Sequence, residues 1–282
     1  MEKQSTSPTT FGTWARSLEL IKQKPGLWLK TGALGVFTPY MLFILFTGWQ
    51  SEGAANLLKS VSADGYKELL TPAASYLTSF LFAALFLSVI ILAGFFSFIH
   101  IGVTEFQDKE TSPKQALMDG LSHTFPGGLL ILLVFALLSV EQSIIGPFRV
   151  LTLFASMACV IKVVDRRKTL TALKHAFLFK YSAPTHGGGM ASAFVLIGLS
   201  ALVFTGEYGL RHLYQFILFA DELFGLSRGI WSSNLPGLPF GPVYVIANVL
   251  LGLGISGLIA MIASYLVCLF YGVRSSLPMY PN

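Results

Sequence analysis

The sequence contains few charged residues. Asp, Glu, Lys and Arg make up only 12% of the 282 residues, whereas soluble domains carry about 25%. Hydrophobic residues reach 54%, and phenylalanine alone occurs 24 times. This composition excludes an ordinary soluble domain and indicates an all-α, polytopic membrane protein. The length allows one membrane domain and leaves no room for an appended soluble enzyme.

Cysteine and metal-binding patterns are also scarce. The two cysteines, Cys159 and Cys268, lie far apart in apolar stretches, which argues against a disulfide and against a zinc site. No two of the five histidines share an i, i+4 helical face with a carboxylate partner. The Gly187-Gly188-Gly189 run lacks the Lys-Ser/Thr that follows a phosphate-binding loop. We therefore expect no catalytic residues, no cofactor and no metal.

The apolar residues fall into six stretches that approach or exceed the length of about 20 residues needed to cross a bilayer. They cover residues 27–49, 72–103, 125–143, 144–164, 190–205 and 242–273. Asp221 and Glu222 interrupt the apolar pattern of the long connector 207–241, which we therefore predict to lie on the membrane. No Asp, Glu, Lys or His falls at the middle of any of these spans, so an ion-coupled transporter lacks positive support.

Three short amphipathic stretches precede alternate spans. Residues 14–26, 113–128 and 170–189 each combine an amphipathic helix with a Pro/Gly break, which predicts three interfacial helices and a weak internal repeat. Residues 1–10 are polar and predicted to be disordered. Residues 11–282 are then a single membrane domain of six spans and three interfacial helices.

The basic residues give this domain an orientation. In an arrangement of six spans, 14 of the 19 Lys and Arg residues lie on the same side of the membrane as the two termini. An excess of Lys and Arg marks the cytoplasmic side. We therefore expect both termini and all three interfacial helices to be cytoplasmic. The net charge of +5 belongs to these flanking segments and does not indicate nucleic acid as a partner.

The segment after the fourth span is the most basic. Arg166, Arg167, Lys168 and Lys174 are candidate contacts for anionic lipid headgroups or for a membrane-protein partner. The alternative is that these charges serve topology alone. Leu170, Leu173, Phe177 and Tyr181 form an apolar line along the same segment, which predicts insertion at the acyl boundary.

The last span carries a stripe of small and polar residues that recur every four positions: Asn248, Gly252, Ser256, Ala260 and Ser264. In lipid, such stripes are typical of close contacts between helices. The stripe predicts a buried face against another span, and Asn248 is its strongest polar candidate.

The order of the spans, with SPKQALMDGL before the third and VVDRRKTLTALKHAFLFKY after the fourth, resembles a known type of membrane domain. It is similar to the six-helix domain attached to some bacterial glycerophosphodiester phosphodiesterases, and to related uncharacterised bacterial inner-membrane proteins. The phosphodiesterase barrel and its catalytic residues are absent. The resemblance implies a bacterial inner-membrane protein with a supporting role.

Two functions remain open from the sequence. The first is a non-enzymatic scaffold or accessory protein of the inner membrane, serving envelope or lipid homeostasis. The alternative is a transporter or lipid-translocating protein with a cavity between the transmembrane hairpins. A polar cavity lined by Asn248 at mid-membrane would favour the alternative, and a solidly packed centre would favour the scaffold.

Overall fold

The protein is built from helices. The computed structural model describes residues 10–60, 66–125, 127–138, 150–177, 188–224 and 241–275, and no strand occurs within these ranges. The described helices are α1 Thr10–Gln23, α2 Pro25–Gly32, α3 Thr38–Ser60, α4 Tyr66–Phe106, α5 Pro113–Thr124, α6 Gly128–Leu138, α7 Val150–Asp165, α8 Thr169–Phe177, α9 Gly188–Phe224 and α10 Pro242–Ser275. A π-helical turn, Ala33–Phe37, joins α2 to α3. The predicted all-α class is confirmed.

Four stretches of these helices are long and apolar enough to cross a membrane. They are Pro25–Trp49, Ala74–Phe106, Phe194–Asp221 and Pro242–Gly272. Three of them coincide closely with predicted spans, because a continuous apolar run of this length is recognisable from composition alone.

The fifth span was predicted wrongly. We expected it to end at Thr205 and the chain then to lie on the membrane, but α9 continues without a break to Phe224. A helix satisfies its own backbone hydrogen bonds, so a few polar side chains do not force it to end. Gly206 and Leu210 also pack against α10, which supports the helix beyond the predicted end.

Other predicted boundaries shift as well. The polar connector 51–71 is helical up to Ser60, and α4 begins at Tyr66. Within the predicted third and fourth spans the structure describes α6 and α7, of 11 and 16 residues, with 139–149 between them outside the described residues. Thr10 is helical, and the remainder of the predicted disordered segment, 1–9, lies outside the described residues.

The helix order defines three units of the same plan. Each has a short lead helix (α1, α5 or α8), then the first arm of a hairpin (α2 with α3, α6 or α9), then the second arm (α4, α7 or α10). The second arms α4 and α7 are each followed within two residues by a residue with positive φ, Asp108 at 51° and Arg166 at 49°. Such left-handed residues commonly end helices.

The three units close into a ring. The second arms α4, α7 and α10 contact one another. Each lead helix packs on the second arm of the preceding unit: α5 on α4, α8 on α7, and α1 on α10. Each second arm also contacts the first arm of the next unit: α4 with α6, α7 with α9, and α10 with the π turn and α3. Each of these three classes of contact thus occurs three times, in an approximate three-fold arrangement.

Small residues allow the lead helices to approach the second arms. Each lead helix buries a pair of small residues one turn apart: Thr13 with Ser17, Ala116 with Gly120, and Ala172 with Ala176. At Gly120, a Cβ atom would overlap the Ser97 hydroxyl and the Ala93 carbonyl oxygen of α4. The ring is therefore held by close helix contacts of the small-xxx-small kind.

The bundle is packed most tightly at the end where the lead helices lie, called here the lead end. Residues 92–99, 155–163 and 263–270, from the three second arms, are buried without interruption. At this end Trp28 stacks on Phe98 with ring centroids 5.6 Å apart. The opposite half of α4 instead exposes large apolar side chains, including Leu77, Phe82 and Phe86, as expected of a surface that faces lipid.

Candidate functional site

A cavity of about 680 Å³ opens between the helices, next to the tightly packed lead end. Five helices line it: α4, α6, α7, α9 and α10, with Ser88, Leu92, Leu133, Ser156, Val203 and Ile259 among the lining residues. Ile91 and Ile259, which also line it, lie within two residues of the midpoints of their candidate spans. The cavity therefore lies at the middle level of the apolar helices.

Glu207 is the only ionisable residue that lines the cavity among the described residues. It is the fourteenth of the 28 residues in the candidate span Phe194–Asp221, so the prediction that no acidic residue falls at the middle of a span is wrong. The error has a single cause, because the predicted fifth span ended two residues before Glu207. Ionisable groups at this depth are costly and usually serve function.

Two further polar groups that line the cavity, the hydroxyls of Ser88 and Ser156, bond to their own helices. Ser88 Oγ donates to the Ala84 carbonyl at 2.8 Å, and Ser156 Oγ donates to the Thr152 carbonyl at 2.8 Å. These bonds leave the wall apolar in character, since the hydroxyl protons are already used. The cavity thus offers hydrocarbon surface with one carboxylate.

The stripe on α10 faces the first unit and does not line the cavity. Asn248, Gly252, Ser256, Ala260 and Ser264 are all buried, whereas Leu250 and Leu253 on other faces are exposed.

Contacts along this stripe are close and specific. The Asn248 side chain accepts from the Tyr40 hydroxyl at 3.0 Å and donates to the Tyr244 carbonyl at 2.9 Å. A Cβ atom on Gly252 would lie 2.7 Å from Tyr40 Cδ1. The structure thus places Asn248 in a contact between helices, whereas the transporter alternative would place it in the wall of a polar cavity.

The basic turn between α7 and α8 lies on the surface. Arg166, Arg167, Lys168 and Lys174 are all exposed. Arg167 is already engaged, because its Nε lies 3.5 Å from Asp165 Oδ2 and its Nη1 lies 3.2 Å from the His175 ring nitrogens.

The apolar side chains of α8 lie in two different environments. Leu170 and Phe177 are exposed, but Leu173 is buried in the core of the protein. The prediction that Leu173 enters the lipid is therefore wrong, because it faces the protein together with the small pair of α8. Tyr181 lies outside the described residues.

Lys162 does not belong to the exposed basic cluster. Its side chain is buried, donates to the His123 carbonyl at the C-terminal end of α5, and lies 5.5 Å from the Phe96 ring centroid. A cation at the end of a helix interacts favourably with its last carbonyl groups. Lys162 thereby joins α7 to α5 and α4.

A polar cluster that the sequence did not reveal surrounds this contact. His100 Nε2 of α4 lies 3.1 Å from Asp119 Oδ2 of α5, and the His123 ring stacks on Phe96 with centroids 5.9 Å apart. Burial, followed by the positive charge of Lys162, lowers the pKa of His123. Spacing along one helix could not show the pair of His100 and Asp119, since it joins two helices.

Within the described residues, no group of three or more His, Cys, Asp or Glu side chains is arranged to hold a metal ion. No protein-family model matches the chain, and neither a curated protein nor a solved structure shows significant similarity to it.

Proposed function

We propose that this protein is a non-enzymatic membrane protein that holds an acyl chain of a membrane lipid in its central cavity and acts in lipid homeostasis or lipid movement. The cavity carries this proposal. Its volume of about 680 Å³ falls in the range of about 300–1,000 Å³ typical of small-molecule sites. Its apolar wall suits a hydrocarbon chain. It also lies near the middle of the candidate spans, at the depth where lipid tails are found in a bilayer.

The proposed topology has six spans with both termini in the cytoplasm of a bacterial inner membrane. The three-fold contact pattern supports six spans, because α6 and α7 occupy the places in the second unit that longer apolar helices occupy in the other two. The distribution of Lys and Arg supports the orientation. In this arrangement α1, α5 and α8 are the interfacial helices.

A scaffold function is the second candidate. Its support is the solid packing of the lead end and the exposed basic turn, with Arg166 and Lys168 available for anionic headgroups or a membrane-protein partner. A scaffold needs no cavity, so occupation of the cavity distinguishes the two functions.

The lipid-binding proposal is tested by filling the cavity. Protein reconstituted in vesicles of phosphatidylethanolamine and phosphatidylglycerol is extracted in mild detergent, and its tightly bound lipid is counted by mass spectrometry. We expect Ser88→Phe, which adds a ring at an exposed position of the cavity lining, to retain about one lipid fewer per chain. The matched control is Leu77→Phe on the exposed surface of the same helix, which should retain as much as the wild type. Equal retention by wild type and Ser88→Phe would refute lipid binding in the cavity.

A further inference from the structure

A second apolar cavity, a groove of about 530 Å³, lies on the other side of the hairpin formed by α9 and α10. Apart from Trp14 of α1, all of its lining residues in the described part of the chain belong to these two helices, including Gly206, Gly209, Gly254 and Gly257. Because both helices contain candidate spans, the medium that meets this groove in a membrane is lipid hydrocarbon. The groove results from glycines, which leave space between the two helices.

The groove has about the length of one lipid leaflet. Trp14 lies at its lead end, where its ring packs against Tyr265 with centroids 6.4 Å apart. Gly254, which lines the other end, is 11 residues from Tyr265 along α10, or about 16 Å at 1.5 Å per residue. This is about half of the ~30 Å hydrocarbon thickness. Tryptophan is typical of the membrane interface, so the groove extends from the interface to mid-membrane.

Val203 of α9 and Ile262 of α10 line both the groove and the central cavity. These two side chains therefore form the partition between the two spaces. Val203 lies one helical turn from Gly206, and Ile262 lies one helical turn from Leu258. A Cβ atom on Gly206 would lie 3.2 Å from Leu258 Cδ1. One turn further, Leu210 occupies the space left by Gly254. The hairpin is thus held at this level by aliphatic side chains against glycines.

We propose that α9 and α10 form a lateral gate, in which Val203 and Ile262 separate the groove from the central cavity and admit one acyl chain of a glycerophospholipid. The proposal rests on the proposed lipid-binding function and adds the route of entry. Lipid tails are as apolar as these side chains, so exchanging a contact between side chains for a contact with an acyl chain costs little free energy. The chain comes from the leaflet that contains α1, because the groove begins at Trp14.

Arg16 suits the headgroup of such a lipid. It is exposed on α1, and its Nη1 lies 3.9 Å from the position that a Cβ atom on Gly272 of α10 would take. Gly272 is seven residues beyond Tyr265 in the direction away from mid-membrane. A guanidinium at this level can bind a phosphate while the acyl chain follows the groove.

The gate is tested by the rate at which bound lipid exchanges. Protein loaded with deuterated phosphatidylglycerol is mixed with unlabelled vesicles, and retained deuterated lipid is measured over time by mass spectrometry. Gly257→Leu fills the groove without a clash, since no atom of the described residues lies within 4 Å of the added Cβ. We expect it to slow exchange about tenfold with unchanged total bound lipid. Gly26→Leu, equally unobstructed but outside the groove, should exchange at the wild-type rate.

The double substitution Val203→Ala with Ile262→Ala opens the partition and should speed exchange about tenfold. Wild-type exchange rates in both Gly257→Leu and the double variant would overturn the gate. If Ser88→Phe still reduces bound lipid in that case, lipid binding in the cavity stands and only the route of entry is wrong. If Ser88→Phe has no effect either, both proposals fall.

Discussion

At the scale of single residues, glycine determines how closely the helices of this protein approach. Gly94 and Gly35 meet between the first and second arms of the first unit, where a Cβ on Gly94 would lie 2.7 Å from the Gly35 carbonyl oxygen. Gly120 meets α4 in the same way. Apolar burial offers helices little driving force in lipid, so association depends on such close contacts.

We therefore expect Gly120→Ala to destabilise the protein. The added methyl group overlaps the Ser97 hydroxyl and the Ala93 carbonyl oxygen, and overpacking of this kind costs about 1–3 kcal/mol. Thermal unfolding in detergent should show a lower Tm. The matched control is Gly209→Ala, where no atom of the described residues lies within 4 Å of the added Cβ, and alanine should stabilise this helix by up to about 1 kcal/mol. Equal Tm values for the two variants would remove the case for a close contact at Gly120.

His123 should make stability depend on pH. Burial and then Lys162 lower its pKa from 6.5, with smaller contributions from His100 and Arg166 in the same direction and an opposing one from Asp119. As pH falls, the unfolded chain binds the proton before the folded protein does. The free energy of unfolding therefore keeps its full contribution from neutral His123 above pH 6.5, and it decreases as pH falls below that value.

The measurement is Tm in detergent between about pH 7.5 and pH 5.5. Wild-type Tm should fall across this range, and His123→Gln should show a smaller fall because it removes the titrating imidazole. The same pH dependence in both proteins would show that His123 does not titrate as described.

At the scale of helices, α8 shows what a periodic pattern can and cannot predict. The spacing of Leu170, Leu173 and Phe177 predicts a helix, and the structure has one at Thr169–Phe177. Which of these side chains faces lipid does not follow from the spacing, because Leu173 lies between Ala172 and Ala176 on the side that packs into the protein. The small residues of α8 widen its buried face so that it includes Leu173, whereas the hydrophobic pattern alone predicts that all three apolar side chains face the membrane.

The basic turn before α8 should contribute to a preference for anionic lipid. Replacing Arg166, Arg167 and Lys168 with Gln should weaken the preference for phosphatidylglycerol by at most about 3 kcal/mol, taking about 1 kcal/mol per charge. Of the single changes, Arg167→Gln should have the smallest effect, since Asp165 already pairs with it.

Mass spectrometry of lipids retained at low and high salt measures this preference, which salt should screen. Removal of one exposed charge outside the turn, Lys109→Gln, is the matched control. If the triple change leaves the preference for phosphatidylglycerol intact, these charges serve membrane topology alone.

At the scale of the whole molecule, much of the fold could be predicted and the site could not. Long apolar runs predicted the spans at 27–49, 72–103 and 242–273, which agree with the described helices within a few residues. The ring depends on contacts between distant units, such as Tyr265 with Thr10, whose hydroxyl and carbonyl oxygens lie 3.2 Å apart. The cavity is a space among five helices, and no local pattern encodes such a space.

The six-span topology can be tested with single cysteines at positions 62, 182 and 233, in a protein without Cys159 and Cys268. We expect an impermeant thiol reagent applied to intact cells to label positions 62 and 233 but not 182, because Lys and Arg accumulate on the side of position 182. Permeabilised cells, in which all three should react, are the control. Labelling at 182 alone would invert the proposed orientation.

The most direct test of lipid binding is a high-resolution electron cryomicroscopy map of the protein in lipid nanodiscs. Occupation of the cavity predicts an elongated density among Leu92, Ser156 and Val203, which Ser88→Phe should remove. A cavity closed by movement of α6 against α4, or one filled only by separate water densities around Glu207, would contradict lipid binding there.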